Sequence, residues 1–263
     1  MERLQQLLDR IRELQKMNSA PSTFQNLNTT APRNGCPECD YQGYIKTGSN
    51  TVRLCRCREQ GRIEKLFECS RISPAFRMKN FDNFETENRP ATVQAMARAA
   101  RNYADNFQEL KQAKANNWLV LLGEPGSGKT HLSLAVGNQL INEFTPVLYF
   151  QHVEGISELM TILKKDEESI GEKLSEMKRA EFLIWDDLFK PWGETKQPKS
   201  FEIRIAFEVL NFRYLNLMPT AINSEHLPDE LLMIDRAIGS RVLERSKGHL
   251  ATVSGIENNY RLL

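Results

Sequence analysis

The chain has no long hydrophobic run: 40% of its 263 residues are hydrophobic, yet no segment approaches the roughly 20 apolar residues that a membrane-spanning helix needs. Its first residues, MERLQQLLDRIRELQKM, are charged throughout and lack the apolar segment and small-residue cleavage site of a secretory leader. A cytoplasmic protein without a membrane partner is therefore the expectation. An excess of one charge is missing too, with 35 Lys and Arg against 34 Asp and Glu, a net charge of +1. That excludes a global pull toward nucleic acid and leaves only local patches. One patch lies between Arg53 and Lys79, where basic residues outnumber acidic ones; a solvated basic face is the competing reading. Histidine is scarce, four residues with the first at His131. Internal repeats and low-complexity tracts are absent. The length and the 26% charged residues suit one ordinary core with a smaller appendage.

What is present is concentrated in the run NWLVLLGEPGSGKTHLSLAVG, Asn117 to Gly137. It joins an apolar strand, a glycine-rich turn and a helix start. Gly123, Gly126 and Gly128 permit positive φ and a close approach of backbone N–H groups to phosphate oxygens, which a Cβ would obstruct. Lys129 reaches β and γ phosphates, Thr130 offers a hydroxyl to Mg²⁺, and the helix N-terminus adds partial positive charge. Gly123, Glu124, Pro125, Gly126, Ser127, Gly128, Lys129 and Thr130 meet the whole G-x-x-x-x-G-K-[ST] pattern. With the adjoining His131 they form the expected ATP-binding set. A chance glycine-rich turn is the alternative, and the flanking strand and helix argue against it.

Four of the five cysteines fall in two close pairs, Cys36 with Cys39 and Cys55 with Cys57, separated by a glycine-containing, turn-like segment. Two thiolates on a tight turn can take adjacent corners of a tetrahedron, and a second pair closes it without an open position. A structural Zn²⁺ site is the expectation. Disulfides, a redox pair and plain buried cysteine are the alternatives. Because the second pair is C-x-C, Cys69 stays open as a substitute ligand.

Along the chain, residues 2–17 place Leu4, Leu7, Leu8, Ile11 and Leu14 on one helical face. A Ser-, Thr- and Asn-rich linker with two prolines follows, residues 18–33. The apolar stripe is expected to dock on its own domain, on a copy of itself or on a partner. From Phe76 the pattern becomes α/β. A long helix is expected over Ala91–Ala113, and strands over Trp118–Leu122, Val147–Phe150, Phe182–Trp185, Thr220–Ile222 and Leu250–Val253. Short runs apolar on both faces, separated by helices, indicate a parallel sheet with its ligand site at the carboxyl ends of the strands.

A phosphate loop needs acidic partners, and Phe182–Asp187 supplies them. Asp186 is placed to hold Mg²⁺ together with Thr130, and Asp187 to orient or deprotonate water; a turn-capping carboxylate is the alternative for Asp186. The similar run Leu231–Asp235 follows Pro228-Asp229-Glu230 and reads as a helical turn. Asn223, ending a strand, suits a water- or phosphate-sensing amide, though Asn is also a common turn former. Arg236, Arg241 and Arg245 include one candidate, Arg241, for reaching a neighbouring subunit's phosphate; ordinary helix-surface arginine is the alternative.

Residues 76–263 resemble an AAA+ ATPase of the DnaC/DnaI helicase-loader group, through GEPGSGKTHLSLAVGNQL, FLIWDDL, TAINSEHLPDEL and IDRAIGSRVLER. The Lys-Thr-His-Leu after the loop is similar also to IstB transposition helpers. CPECDYQGYI with LCRCRE resembles the zinc-bearing N-terminal domain of DnaI-like and phage-type loaders. The resemblance implies a five-stranded AAA+ domain over residues 76–263 with a reduced lid, and a helix-plus-zinc module over residues 1–75 that grips a DnaB-type replicative helicase. It also implies binding of single-stranded DNA, ATP-dependent self-association, and catalytic roles for Lys129, Asp187, sensor Asn223 and finger Arg241. Asp187 stands where many such proteins have glutamate, which implies slow turnover, and Arg261 is a candidate second sensor. An IstB-like helper and a zinc-containing adaptor that binds ATP without turnover are the alternatives.

Overall fold

The computed structural model describes residues 36–40, 42–48, 51–164, 167–191 and 197–262. The expected N-terminal helix and linker lie outside these residues. The described chain divides into two compact units between Arg62 and Ile63.

In the first unit, strands β1 (Tyr44–Lys46) and β2 (Val52–Leu54) pair antiparallel, with Ile45 opposite Arg53. Gly43 turns the chain into β1 at φ +72°, and a Cβ there would lie 2.8 Å from Arg58 Cδ. Beyond β2 begins the helix Arg56–Cys69.

The second unit is built on β3 (Trp118–Gly123), β4 (Val147–Gln151), β5 (Phe182–Asp186), β6 (Thr220–Ser224) and β7 (Leu250–Val253). They form one sheet in the order β4-β5-β6-β3-β7, every neighbouring pair parallel. The first four are buried along nearly their whole length, which is why they read as continuous apolar runs and not as alternating ones. Alternation decides which helices they meet. Trp118, Val120 and Leu122 join Trp185 and Ile222 in a core with Ile205, Val209 and Val242 from the helices Ser200–Leu215 and Arg236–Arg245. Each fully buried aliphatic or aromatic side chain there contributes about 1.5–3 kcal/mol.

The opposite face carries the helix Lys129–Asn142, which buries Leu132, Val136 and Leu140. Gly137 lets it come close, since a Cβ there would stand 2.6 Å from Ile184 Cδ1 on β5. The expected helix over Ala91–Ala113 is two helices, Ala91–Asp105 and Phe107–Ala113. Asn106 separates them at φ −104°, ψ 12°, its amide donating to Asn102 O at 2.8 Å; this local bond competes with continuing the helix. The run Leu231–Asp235 lies in and just after the helix Pro228–Ile234, as its acidic start and proline implied. Among the described residues no helix is long and apolar enough to cross a membrane.

The amino ends of the strands are tied by two arginines. Arg213 is fully buried and donates to the carbonyls of Met177 and Ala180, both at 2.9 Å, to Pro219 O, and to Thr220 Oγ1 at 2.9 Å. Arg245 donates to Lys114 O at 3.1 Å and Asn117 Oδ1 at 2.6 Å. The carboxyl ends of β3, β5 and β6 are thereby left to line one side of a cleft.

Candidate functional site

Three glycines shape the loop after β3. Gly123, Gly126 and Gly128 have φ of +107°, +72° and +103°, a region that L side chains avoid. A Cβ on Gly123 would collide with Val253 O at 1.9 Å, and one on Gly128 with the Phe84 ring at 2.4 Å. The loop is thus packed against Val253 and Phe84, and Glu124 N donates to Val253 O at 2.7 Å. Lys129 is 5% exposed and donates to Gly123 O at 2.7 Å and Glu124 O at 2.8 Å. Burial pulls its pKa down, and Glu225, Asp187 and Asp186 oppose that. Ser127 Oγ is buried without a protein partner.

Asp186 gathers the site. Its Oδ1 accepts from Thr130 Oγ1 at 2.9 Å and Asn223 Nδ2 at 2.6 Å, and its Oδ2 from Tyr149 OH at 2.8 Å. Donors from three separate elements therefore converge on one carboxylate that is 2% exposed. Burial and the neighbouring Asp187 charge push its pKa up, while the three donors pull it back. Asn223 also donates to Ser133 Oγ at 2.7 Å, and its Oδ1 is a buried acceptor without a donor. Asp187 follows in the left-handed region, φ +55°, with Oδ2 bonded to Lys190 Nζ at 2.7 Å. Lys190 in turn contacts Glu225 at 3.1 Å.

Lys129, Thr130, Tyr149, Asp186, Asp187, Lys190 and Glu225 line a cleft of about 860 Å³ together with Phe84, Arg89, His131 and Tyr260, while Asn223, Ser127 and Ser133 are not among its lining residues. His131 Nε2 lies 2.9 Å from Asn80 O and so carries its proton there; burial lowers its pKa. After β7 the described chain forms two short 3-10 turns, Ile256–Asn258 and Tyr260–Leu262. Tyr260 N donates to Gly126 O at 3.1 Å, its ring lies under Arg89 at 4.9 Å, and Arg261 lines the same cleft.

The donor set fits a magnesium-bound nucleoside triphosphate: a glycine loop held at positive φ with no room for Cβ atoms, a cation beside it, a hydroxyl–carboxylate pair and an orphaned buried amide oxygen. Arg241 is not among the residues lining this cleft. It donates to Ala237 O at 2.7 Å and lies over Phe207 and Tyr214 at 5.6 and 5.3 Å. Sequence reasoning missed Tyr149, Ser133, Lys190 and Glu225. Tyr149 reaches Asp186 through the register of β4 on β5, which sets it beside Ile184.

In the first unit, Cys36, Cys39, Cys55 and Cys57 converge, all four sulfurs within 4.8 Å of one another. Cys36 and Cys55 are 3.7 Å apart, Cys39 and Cys57 3.4 Å. Tetrahedral zinc with bonds of about 2.3 Å sets its sulfurs about 3.8 Å apart, so the cluster fits a zinc-ribbon-like module. Cys69 is not one of the four.

A family described as IstB-like ATP binding protein matches residues 53–262. The phage-like element PBSX protein XkdC of Bacillus subtilis strain 168 is 33% identical, the match covering 98% of this chain and 97% of that protein. The replicative helicase loader DnaC of Escherichia coli K12 is 22% identical, over 78% of this chain and 76% of its own. The crystal structure of DnaI shares the fold, with a TM-score of 0.50 at 20% identity over 72% of this chain and 94% of its own.

Proposed function

Because the chain belongs to the DnaC/IstB-like family of ATP-binding proteins, we propose that it hydrolyses ATP slowly and uses binding and hydrolysis to place a DnaB-type ring helicase on single-stranded DNA. The observation that carries this reading is the meeting of Thr130 and Asn223 on Asp186 beside the glycine loop.

In this reading Lys129 exchanges its two carbonyl acceptors for phosphate oxygens, which are stronger partners for an ammonium. Thr130 and Asp186 hold Mg²⁺, and the metal, when bound, neutralises charge on the terminal phosphate. Asp187 takes the proton of the attacking water, and Asn223 orients that water. Asp187 is one methylene shorter than glutamate, so its reach is shorter and turnover slow. Arg241 belongs to a shared site: it acts as a finger on the phosphates of an adjacent protomer, which makes self-association part of the cycle. Cys36, Cys39, Cys55 and Cys57 hold one structural Zn²⁺, and residues 1–75 grip the helicase.

The test is capture of a replicative ring helicase by the full chain and by a truncation lacking residues 1–75, with ATPase assays with and without single-stranded DNA. The expected result is helicase capture by the full chain alone and DNA-responsive hydrolysis. Capture of a transposase and not a helicase would move the chain to the IstB-like helpers. ATP binding without turnover would make it an adaptor. Metal analysis of reduced protein is expected to find one zinc per chain, and none would remove the zinc assignment.

A further inference from the structure

Lys190 and Glu225 line the cleft beside Asp187, yet no step above uses them. Asp187 and Glu225 follow adjacent parallel strands, β5 and β6. Lys190 returns to Asp187 through a tight turn, its N–H donating to Asp187 O at 2.9 Å. Its ammonium then spans the gap, 2.7 Å from Asp187 Oδ2 and 3.1 Å from Glu225 Oε1. The two carboxylate side chains are only 17% and 18% exposed, so this network is better shielded than an ordinary surface pair. Burial alone would pull Lys190 down; its bonds to Asp187 and Glu225 outweigh that and raise its pKa.

We propose that Lys190 is a positioning residue that brakes hydrolysis, holding Asp187 as an ion pair until its ammonium passes to Glu225. The chemistry follows from the contact. An Asp187 carboxylate oxygen that is bonded to the Lys190 ammonium is already engaged and is held in a fixed direction by a side chain that is itself tied to Glu225. The Oδ2 bonded to Lys190 at 2.7 Å must give up that bond before it can take one from a water. Lysine suits the part, since a compact charge on a flexible stem can pivot between two acceptors that are fixed at neighbouring strand ends. Glu225 is the second acceptor, and with it Asp187 can be released without stranding the ammonium.

The inference rests on the reading of Asp187 as the base, so the experiment separates the two. Steady-state ATPase is measured on the full chain for Lys190→Met, Lys190→Arg, Glu225→Gln and Asp187→Asn. Lys190→Met is expected to raise kcat roughly threefold to tenfold with KM for ATP unchanged, and Lys190→Arg to return kcat toward the wild-type value. Glu225→Gln is expected to lower kcat, because the ammonium then stays on Asp187. A fall in kcat or a rise in KM for Lys190→Met would overturn the brake. If Asp187→Asn abolishes turnover and Lys190→Met does not raise it, the brake alone fails; if Asp187→Asn turns over normally, the base reading fails. Should Lys190→Met not fold, Lys190→Gln carries the same expectation.

Discussion

Buried charge occurs at both ends of the parallel sheet and is handled in opposite ways. At the amino ends of the strands, Arg213 and Arg245 spend their donors mainly on backbone carbonyls of fixed loops, with no carboxylate among the acceptors named above. At the carboxyl ends, Lys129, Asp186, Asp187 and Lys190 answer one another across a cleft. Asp186 is pushed up by burial and Lys129 down, so burial disfavours the charged form of each. The first arrangement fixes a fold. The second gathers groups whose charged forms burial disfavours around a cleft, the pattern expected of a functional site.

The comparison breaks most visibly at its structural end. Arg213→Met leaves a fan of buried carbonyls without a donor, a cost of about 3 kcal/mol or roughly 6–12 °C in Tm. A thermal melt checks this, and the folded fraction should bind ATP as the wild type does. At the other end, Lys129→Ala should weaken ATP binding up to about 100-fold, the scale of losing a charge-assisted contact, while Tm moves by only a few degrees; titration of a fluorescent ATP analogue measures it. A change confined to Tm would place Lys129 with the structural arginines. The smallest effect sharpens the contrast. Tyr149→Phe removes one of three donors on Asp186 and should lower turnover about tenfold or less, read in the same steady-state assay.

How much of this was legible depends on how local each feature is. The glycine loop was readable because its conformation needs particular residues at consecutive positions. The two cysteine pairs were readable because four thiols that meet at one point fall in close pairs on two short segments. Leu250–Val253 was recovered with its observed ends, and the other four strands were short by a residue or two at the carboxyl end, since Gly123, Gln151, Asp186 and Ser224 continue a strand in which burial no longer requires apolar side chains. Tyr149, Lys190 and Glu225 escaped notice because their places follow from strand order and register, which set β4, β5 and β6 side by side. The break at Asn106 escaped for a different reason: a side-chain amide bonding to the preceding turn competes with a helix whose apolar spacing continues past it.

The central claim is that the carboxyl edge of the sheet is a site of ATP hydrolysis, with Asp187 as the base. It is tested most directly by Asp187→Ala, with ATP affinity and steady-state turnover measured on the same preparation. The account predicts affinity within about threefold of the wild type and turnover reduced by at least about 100-fold. Unchanged hydrolysis would contradict it.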